Sequence, residues 1–498
     1  MPRTAASEPW LVEQHLAHPH GRGRLAGAPA TGAAGGAACG DLVRVSLRVG
    51  GGRVVDAGFE ASGCAAARAA GSATVALIEG LGALEAARIS PATIADELGG
   101  LAPTHAHAAD LACDALHRAL GAAARDGEVE LAAVATRTLV AMSGGVDSAA
   151  AAQLAIDAGD DVLAVTLELW SDPAGDGEQS CCSPQAVRGA RALAQGMGLP
   201  HFTLDLRERF RGDVVDDFLA GYAGGTTPNP CVRCNGLVRF DAMLELAGRL
   251  GAVRLSTGHY ARIERDDGGP LVAVAVDDHK DQSYVLARLR GDTLERLDFP
   301  LGGRTKPQVR DLARRAGLSV ADRPESQDLC FLAGTGRDAF VHRHGAELIE
   351  ATGDGGEIVD RDGRVLGRHG GHHNFTVGQR RGIGVSGPEP LYVIAKDARR
   401  NRVVVGRREE LATTRVALGP GRLHRPAADV DSVRLRYQGA TIPCGVEDDL
   451  PSGDHDGLAV RLEREVAAPA PGQVACLMRG SHVVGWAVVA EPEVADAA

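Results

Sequence analysis

The stretch Ala141-Met142-Ser143-Gly144-Gly145-Val146-Asp147-Ser148 constrains this chain more than any other. An apolar run at 138–140 precedes it and an alanine-rich helical pattern at 149–158 follows. The segment therefore reads as strand, tight loop, helix. Two glycines let the backbone close around an anion. The helix start adds unsatisfied N–H groups and the positive end of its dipole. The loop lacks the lysine of a Walker A sequence. On its residues alone it is either a phosphate cradle or an ordinary glycine turn before a helix.

At 498 residues the chain has room for about three domains. Hydrophobic content of 44% against 24% charged residues predicts globular order without disulfides. No uncharged apolar run reaches the ~20 residues of a membrane span, and the first residues hold no signal-peptide core. The expectation is a cytoplasmic protein with no membrane partner. In that compartment its ten cysteines stay reduced, which turns attention to metal binding or catalysis. The net charge of −12 does not announce a nucleic-acid binder, so local patches matter more. Residues 299–323 and 396–408 are basic; charge alone leaves them as solvated faces or phosphate contacts.

Before the loop lies a separate unit. Residues 42–49 alternate as a strand, 53–59 pair with them across Gly50-Gly51-Gly52, and helical patterns follow at 65–79 and 107–120. Cys39-Gly40-Asp41 precedes the first strand, Cys64 follows Gly63 at a helix start, and Cys113 sits in the last helix. Thiolates at helix starts and loop ends are favoured by the dipole and converge on metals. The bland alternative is three cysteines buried in a small α+β domain. With His15-Leu16, His18-Pro19 and Gly23-Arg24-Leu25, the pattern resembles the IscU/SufU family of iron–sulfur scaffolds over residues 10–125. The resemblance implies a zinc or iron–sulfur site ligated by Cys39, Asp41, Cys64 and Cys113. Residues 26–38 are low-complexity Ala/Gly, and 122–137 read as a linker.

The Ser-Gly-Gly-x-Asp-Ser loop resembles that of the PP-loop ATPases, which split ATP between its α and β phosphates and adenylate their substrates. Further along, Thr227-Pro228-Asn229-Pro230-Cys231-Val232-Arg233-Cys234-Asn235 is a proline-stiffened loop with a Cys-x-x-Cys, and Cys330 follows in Asp328-Leu329-Cys330-Phe331. Ser256-Thr257-Gly258-His259-Tyr260, Lys280-Asp281-Gln282-Ser283-Tyr284, Phe299-Pro300-Leu301-Gly302, Phe375-Thr376-Val377-Gly378-Gln379, Arg434-Leu435-Arg436-Tyr437 and Pro471-Gly472-Gln473 come in order after them. From 138 to 491 the chain resembles the tRNA-specific 2-thiouridylases, a PP-loop family.

That resemblance implies ATP with Mg²⁺ as cofactors, and tRNA with a sulfur donor (a cysteine desulfurase or sulfide) as partners. O2 of the wobble uridine, position 34, would be adenylated, sulfur would attack C2, and AMP and pyrophosphate would be released. ATP would be held by Ala141, Met142, Ser143, Gly144, Gly145, Val146, Asp147 and Ser148, with Leu167 and Gly258. The tRNA would be held by Asn229, Pro230, Cys231, Lys280, Asp281, Gln282, Arg436 and Tyr437, with phosphates on 304–315 and 399–408. Cys234 and Cys330 would be catalytic. Two sulfur routes stay open: a Cys330 persulfide with Cys234 closing a disulfide, or a 4Fe–4S cluster on Cys231, Cys234 and Cys330 whose open iron carries sulfide. The cysteine at 231, where many relatives carry aspartate, tilts the reading to the cluster; zinc on the Cys-x-x-Cys is a third choice. His372 and His373 are metal ligands or a structural or solvated pair. A carrier that assembles clusters and releases them with ATP, making no RNA product, is the alternative from another class.

The expected fold is multidomain: an N-terminal α+β scaffold domain over 1–125 and a linker over 126–136; an α/β PP-loop domain (adenine nucleotide α-hydrolase-like) with a parallel sheet over 137–345; a small β domain over 346–410; and a β-barrel over 411–498. Hairpin patterns at 356–365 and 391–405 support the third unit.

Overall fold

The computed structural model describes residues 9–27, 30–35, 40–172, 183–324, 329–332, 335–350 and 355–491. Cys39, Cys181, Cys182 and Asp328 lie outside them. The first unit runs α1 (Pro9–Ala17), β1 (Ala30–Gly35), β2 (Leu42–Gly50), β3 (Arg53–Ser62), α2 (Ala65–Ile78), α3 (Ala83–Ala86), α4 (Pro91–Glu97) and α5 (Ala106–Arg125). Its strands form an antiparallel meander in the order β1-β2-β3. Gly51 and Gly52, both at positive φ, turn β2 into β3 as the glycine run predicts. Strand β1 comes from the low-complexity Ala/Gly segment, which carries no alternation to announce it. Its small side chains have a packing reason: a Cβ at Gly32 would collide with the Ala115 carbonyl and the Ala119 amide, so α5 rests on the strand's backbone.

The second unit contains β4 (Val134–Ala141), α6 (Val146–Asp157), β5 (Asp161–Glu168), α7 (Pro184–Gly196), β6 (His201–Asp205), α8 (Arg207–Phe210), α9 (Asp216–Ala223), α10 (Pro230–Cys234), α11 (Phe240–Arg249) and β7 (Ala252–Thr257). It continues through β8 (Arg262–Asp266), β9 (Gly269–Ala273), α12 (Gly291–Leu294), β10 (Leu297–Asp298), α13 (Lys306–Arg315), α14 (Arg337–His344) and α15 (Ala346–Glu350). The parallel sheet has the order β10-β7-β4-β5-β6. The chain leaves β4 toward β5 and β6, then returns to add β7 and β10 on its other side. The carboxyl end of β4 is thus the topological switch point, where ligands bind in open α/β sheets. The Ser143–Ser148 loop begins there.

The segment expected as a linker is part of the packed body. Helix α5 continues through Arg125, and β4 begins at Val134. Between them, the Leu131 and Val134 amides donate to the Arg249 and Gly251 carbonyls at 2.8 and 2.9 Å. Val45 and Leu116 of the first unit share one hydrophobic core with Leu163 and Phe202 of the second. Gly121 makes that approach feasible, since any Cβ would meet the Thr203 carbonyl on β6.

Beyond it, β11 (Gly356–Val359), β12 (Val365–His369), β13 (Tyr392–Asp397) and β14 (Arg402–Gly406) form a small sheet that contains both expected hairpins. Strands β15 (Ala412–Leu423), β16 (Ser432–Arg434), β17 (Ile442–Val446), β18 (Gly453–His455), β19 (Leu458–Ala467), β20 (Val474–Arg479) and β21 (His482–Val489) follow. The β15–β21 pairing closes a six-stranded barrel, β15-β19-β17-β16-β20-β21. The β8–β9 hairpin, from within the second unit, extends this barrel sheet through β21. Asp266 on that hairpin is clasped by Arg425 and Arg479 of the barrel. Among the described residues no helix is long and apolar enough to cross a membrane.

Candidate active sites

The nucleotide loop is held from four directions. Gly144 has φ +74°, a conformation glycine takes freely. The Ser143 amide donates to Ser148 Oγ at 3.1 Å, and that hydroxyl donates to the Gly145 carbonyl at 3.0 Å. Gly145 caps α6 without a side-chain bond, so the first-turn amides keep their capacity for an anion. Lys306 Nζ contacts both carboxylate oxygens of Asp147 at 2.7 Å, and the Tyr260 hydroxyl donates to one of them at 2.8 Å. Arg323 donates to the Gly144 carbonyl at 3.0 Å. Behind the loop, Gly258 is seated so closely that a Cβ would lie 2.7 Å from the Asp147 carbonyl carbon and the Ser148 amide. Leu167, half-buried, stands near the end of the neighbouring β5. His259 is half-buried against Phe240, and desolvation, with Arg239 nearby, pulls its imidazole down to about 3, so it is neutral.

Lys306 and Tyr260 are direct partners of the loop that their motifs did not single out. One signal was available: Lys306 is one of three lysines in a chain that otherwise uses arginine.

The proline loop enters α10, where Asn229 caps the helix by accepting from the Val232 amide at 3.2 Å and Pro230 takes the first turn. Cys231 and Cys234 are one turn apart, and α10 passes into a π-helical turn at Asn235–Arg239. The Pro471-Gly472-Gln473 motif explains itself here. The Thr227 amide donates to the Pro471 carbonyl at 2.7 Å and Gln473 to the Thr227 carbonyl at 3.1 Å, so the barrel clamps the loop. Tyr437, 41% exposed, leans on Tyr284 at 6.2 Å between centroids, and Tyr284 also contacts Asn229. Cys231 is close enough to Tyr437 to push its phenol up, after burial and Asp281. Arg436 beside it is exposed, and Lys280 is half-buried. Segments 229–231, 280 and 436–437 therefore gather around one mouth.

Asp281 and Gln282 face inward. The Asp281 carboxylate is buried and accepts from the Ala275 and Ser283 amides, the Ser283 hydroxyl and Arg434 at 2.7–3.2 Å. Gln282 accepts from the Tyr260 amide at 2.9 Å. Both brace the mouth and the nucleotide loop instead of projecting from them. Part of the charge of the basic stretches is paired in place: Arg314 pairs with Asp311 and Asp322, Arg400 with Asp397, and Arg402 with Glu357.

Cys234 is buried in the main core, and Cys330 packs half-buried against the same core. Among the described residues these thiols do not gather with Cys231 at the spacing one metal ion requires. A single zinc on the trio does not fit; a four-iron cluster, which spreads its ligands wider, is not tested by that spacing. His372 and His373 are buried and structural. His372 bridges Asn401 and the Ala223 carbonyl at 3.1 and 3.0 Å, and burial takes His373 down to about 4.

The first unit carries its own ligand group. Asp41, Cys64 and His107 bring an oxygen, a sulfur and a nitrogen within 4.8 Å of one another. The buried Asp41 accepts from the Cys64 amide at 2.8 Å, lies 3.0 Å from the Cys64 sulfur and 2.9 Å from His107 Nε2. These hydrogen bonds from Cys64 depress the Asp41 carboxyl, while burial and that carboxylate push the Cys64 thiol up. The donor set suits zinc or iron. Cys113 is not brought to this group. It lies six residues beyond His107, ~9 Å along the helix and on another face. There it is fully buried, 3.5 Å from the Ile89 carbonyl, with its thiol raised to about 11 by burial. His107 occupies the place expected for it.

A glycine loop at the switch point of a parallel sheet, a barrel clamped onto a Cys-x-x-Cys helix and a small domain that gathers Asp41, Cys64 and His107 define a fused scaffold and PP-loop architecture. Family models agree: the NifU-like N-terminal domain matches residues 10–126, the tRNA methyl transferase HUP domain 136–334 and the tRNA methyl transferase PRC-barrel domain 346–407. A "Bifunctional protein NifU/MnmA" of Rubrobacter xylanophilus is 44% identical over 96% of this chain and 98% of its own length. "tRNA-specific 2-thiouridylase MnmA" of Geobacter metallireducens is 41% identical over 70% of this chain and 95% of its own, and that of Sorangium cellulosum 42% over 70% and 91%. The chain belongs to the bifunctional NifU/MnmA family.

Proposed function

We propose that the chain is a tRNA 2-thiouridine synthase whose N-terminal unit supplies sulfur or iron–sulfur units. The end-to-end match to a bifunctional NifU/MnmA protein carries this reading. A uridine C2 carbonyl oxygen is a poor leaving group. In the proposed sequence O2 attacks the α phosphorus of ATP held on the Ser143–Ser148 loop, and pyrophosphate leaves. Sulfur then bonds to C2, and AMP departs with the former carbonyl oxygen. Mg²⁺ would share the phosphate charge when bound. Lys306 and Tyr260 hold Asp147 at the head of α6, which fixes the loop before the substrate arrives. Asn229, Pro230, Cys231, Lys280, Arg436 and Tyr437 would receive a base flipped from the anticodon loop, an extrusion that costs a few kcal/mol. Cys234 and Cys330 would handle the sulfur. Asp41, Cys64 and His107, with Cys39 two residues earlier in sequence, would hold the N-terminal metal.

The test is anaerobic incubation of the full chain with unmodified tRNA, ATP, Mg²⁺ and sulfide, followed by mass spectrometry for 2-thiouridine. Iron-dependent product supports the cluster route. Product only with a persulfide donor supports the Cys330 persulfide. No product under either condition overturns the thiolase reading in favour of the carrier. Supply by the N-terminal unit is tested with Cys64→Ser in the full chain, since deleting residues 1–136 would uncover the shared core. Unchanged product at limiting sulfur would sink that part.

A further inference from the structure

One face of α5 joins the N-terminal ligand group to the nucleotide loop. His107, Asp110, Asp114, His117 and Gly121 follow at three- and four-residue steps, which places them in a single stripe. At the first turn His107 shares the Asp41 carboxylate with Cys64. One turn on, Asp110 faces Arg188 and Arg191. The next turn presents Asp114, 2% exposed, in a buried pair with Arg191 of α7, with Arg188 at 3.8 Å from its other oxygen. Helix α7 is also the wall behind the loop: the Ala190 amide and Ala186 carbonyl stand 3.3 and 3.5 Å from where a Gly144 Cβ would be.

A second connection leaves the following turn. His117 Nδ1 is 2.7 Å from the His201 carbonyl on β6. His201 Nε2 is 2.8 Å from Thr166 Oγ1, and that hydroxyl lies 3.0 Å from the carbonyl of Met142, the residue before Ser143. The partners dictate the proton positions. Carbonyls only accept, so the Thr166 hydroxyl donates to Met142, and His117, with the His201 carbonyl at Nδ1 and the Ile89 carbonyl at Nε2, donates to one of the two. Thr166 Oγ1 then accepts from His201 Nε2–H. His117 Nε2 lies 2.9 Å from the Ile89 carbonyl and 3.2 Å from the Gln195 side-chain nitrogen. Burial holds both imidazoles neutral. Two independent contacts, one through α7 and one through β6 and β5, thus run from the same helix face to the same loop.

We propose that metal occupancy of the Asp41–Cys64–His107 group and ATP occupancy of the Ser143–Ser148 loop change each other's affinity through α5, with Asp114 and His117 as positioning residues for the loop. The inference rests on the reading that the Asp41 group binds a metal and the loop binds ATP. An ion that recruits His107 and Cys64 redirects the bonds they make to Asp41 at the head of α5. The rest of the helix is gripped by buried partners, so a shift at its head is resisted at Asp114 and His117 and passed to α7 and β6. Linkage makes the effect reciprocal: ATP must change metal affinity by the same factor.

The experiment uses the full chain, zinc-loaded or chelator-stripped, and titrates α,β-methylene-ATP with Mg²⁺ by calorimetry. The expected result is a change in Kd of about fivefold or more between the two forms. Zinc competition titrations with and without the nucleotide should return the same factor. His117→Gln and Arg191→Met should shrink it below about twofold while zinc affinity without nucleotide holds, a pattern that a merely structural role would not give. Cys64→Ser should abolish the zinc effect; an effect that persisted would come from another site and overturn the proposal. Zinc that binds without altering nucleotide affinity in the unsubstituted chain also overturns it. Zinc that fails to bind overturns the metal reading, and the coupling with it. Nucleotide that fails to bind overturns the ATP reading instead.

Discussion

Arg191→Met is the sharpest test of how the N-terminal unit is attached. Arg191 and Asp114 are 2% and 3% exposed as side chains, and their pair spans the two units. Removing the guanidinium strands a carboxylate in a low-dielectric interior, which costs about 3–5 kcal/mol. Arg188 remains 3.8 Å from Asp114 but is 38% exposed, so it recovers only part of the loss and the lower end applies. At ~1.36 kcal/mol per decade, about 3 kcal/mol speeds opening of the interface about a hundredfold. Amide hydrogen exchange along α5 reads that opening directly. The control is Arg125→Met, which breaks an exposed pair with Asp126, 46% and 34% exposed, worth under about 1 kcal/mol. Asp114→Asn combined with Arg191→Met removes both charges and should recover most of the protection, because what is costly is the unpaired charge. A change under about fivefold in Arg191→Met, or no recovery in the double variant, would refute the reasoning.

Gly258→Ala drives a Cβ to 2.7 Å from the backbone of Asp147 and Ser148, and overpacking of about 1–3 kcal/mol should lower kcat/KM for ATP tenfold or more. Lys306→Met leaves the Asp147 carboxylate to Tyr260 alone; ATP affinity measured by calorimetry should drop about tenfold, with tRNA affinity unchanged. His107→Ala should abolish stoichiometric zinc binding at the N-terminal site and Cys113→Ala should not; the reverse outcome would restore Cys113 as the ligand. Acid should loosen the interface. Burial, then Arg191, hold His117 down to about 4, whereas an unfolded histidine takes its proton near 6.5. The opened state binds more protons in that window, so α5 protection should fall as pH drops from about 6.5 toward 4, and His117→Gln should flatten the His117 share of that profile.

Much was legible in the sequence. Periodicity located β2, β3, α2, α6 and both hairpins of the small β sheet, because each of those elements shows one face to a core. Local chemistry located the strand, glycine loop and helix at 138–158 and Cys64 at a helix start, but it read 227–235 as a loop where Pro230–Cys234 is helical. What failed shares one physical cause. Strand β1 has no pattern because Gly32 and its neighbours serve the approach of α5, a contact distant in sequence. The resemblance implied Cys113 and did not include His107, because residue type was legible and helix phase relative to Asp41 was not. Asp281 reads as a charged tip within a motif, yet Arg434, far along the chain, commits it to the interior. The apparent linker at 126–136 opens on a polar turn, Asp126-Gly127-Glu128, and only the partners it finds at the end of α11 fix it in place.

By itself, then, the sequence determined the local machinery: which loop can cradle a phosphate, which thiols begin helices, which strands alternate. Those properties depend on backbone geometry and side chains within a turn or two of each other. Tertiary structure alone decided which of these pieces meet. It set Lys306 against Asp147, the Gly472 turn against the proline loop, and the polar face of α5 against α7 and β6. Such contacts are selected by the packing of whole elements, and no local pattern encodes their partners.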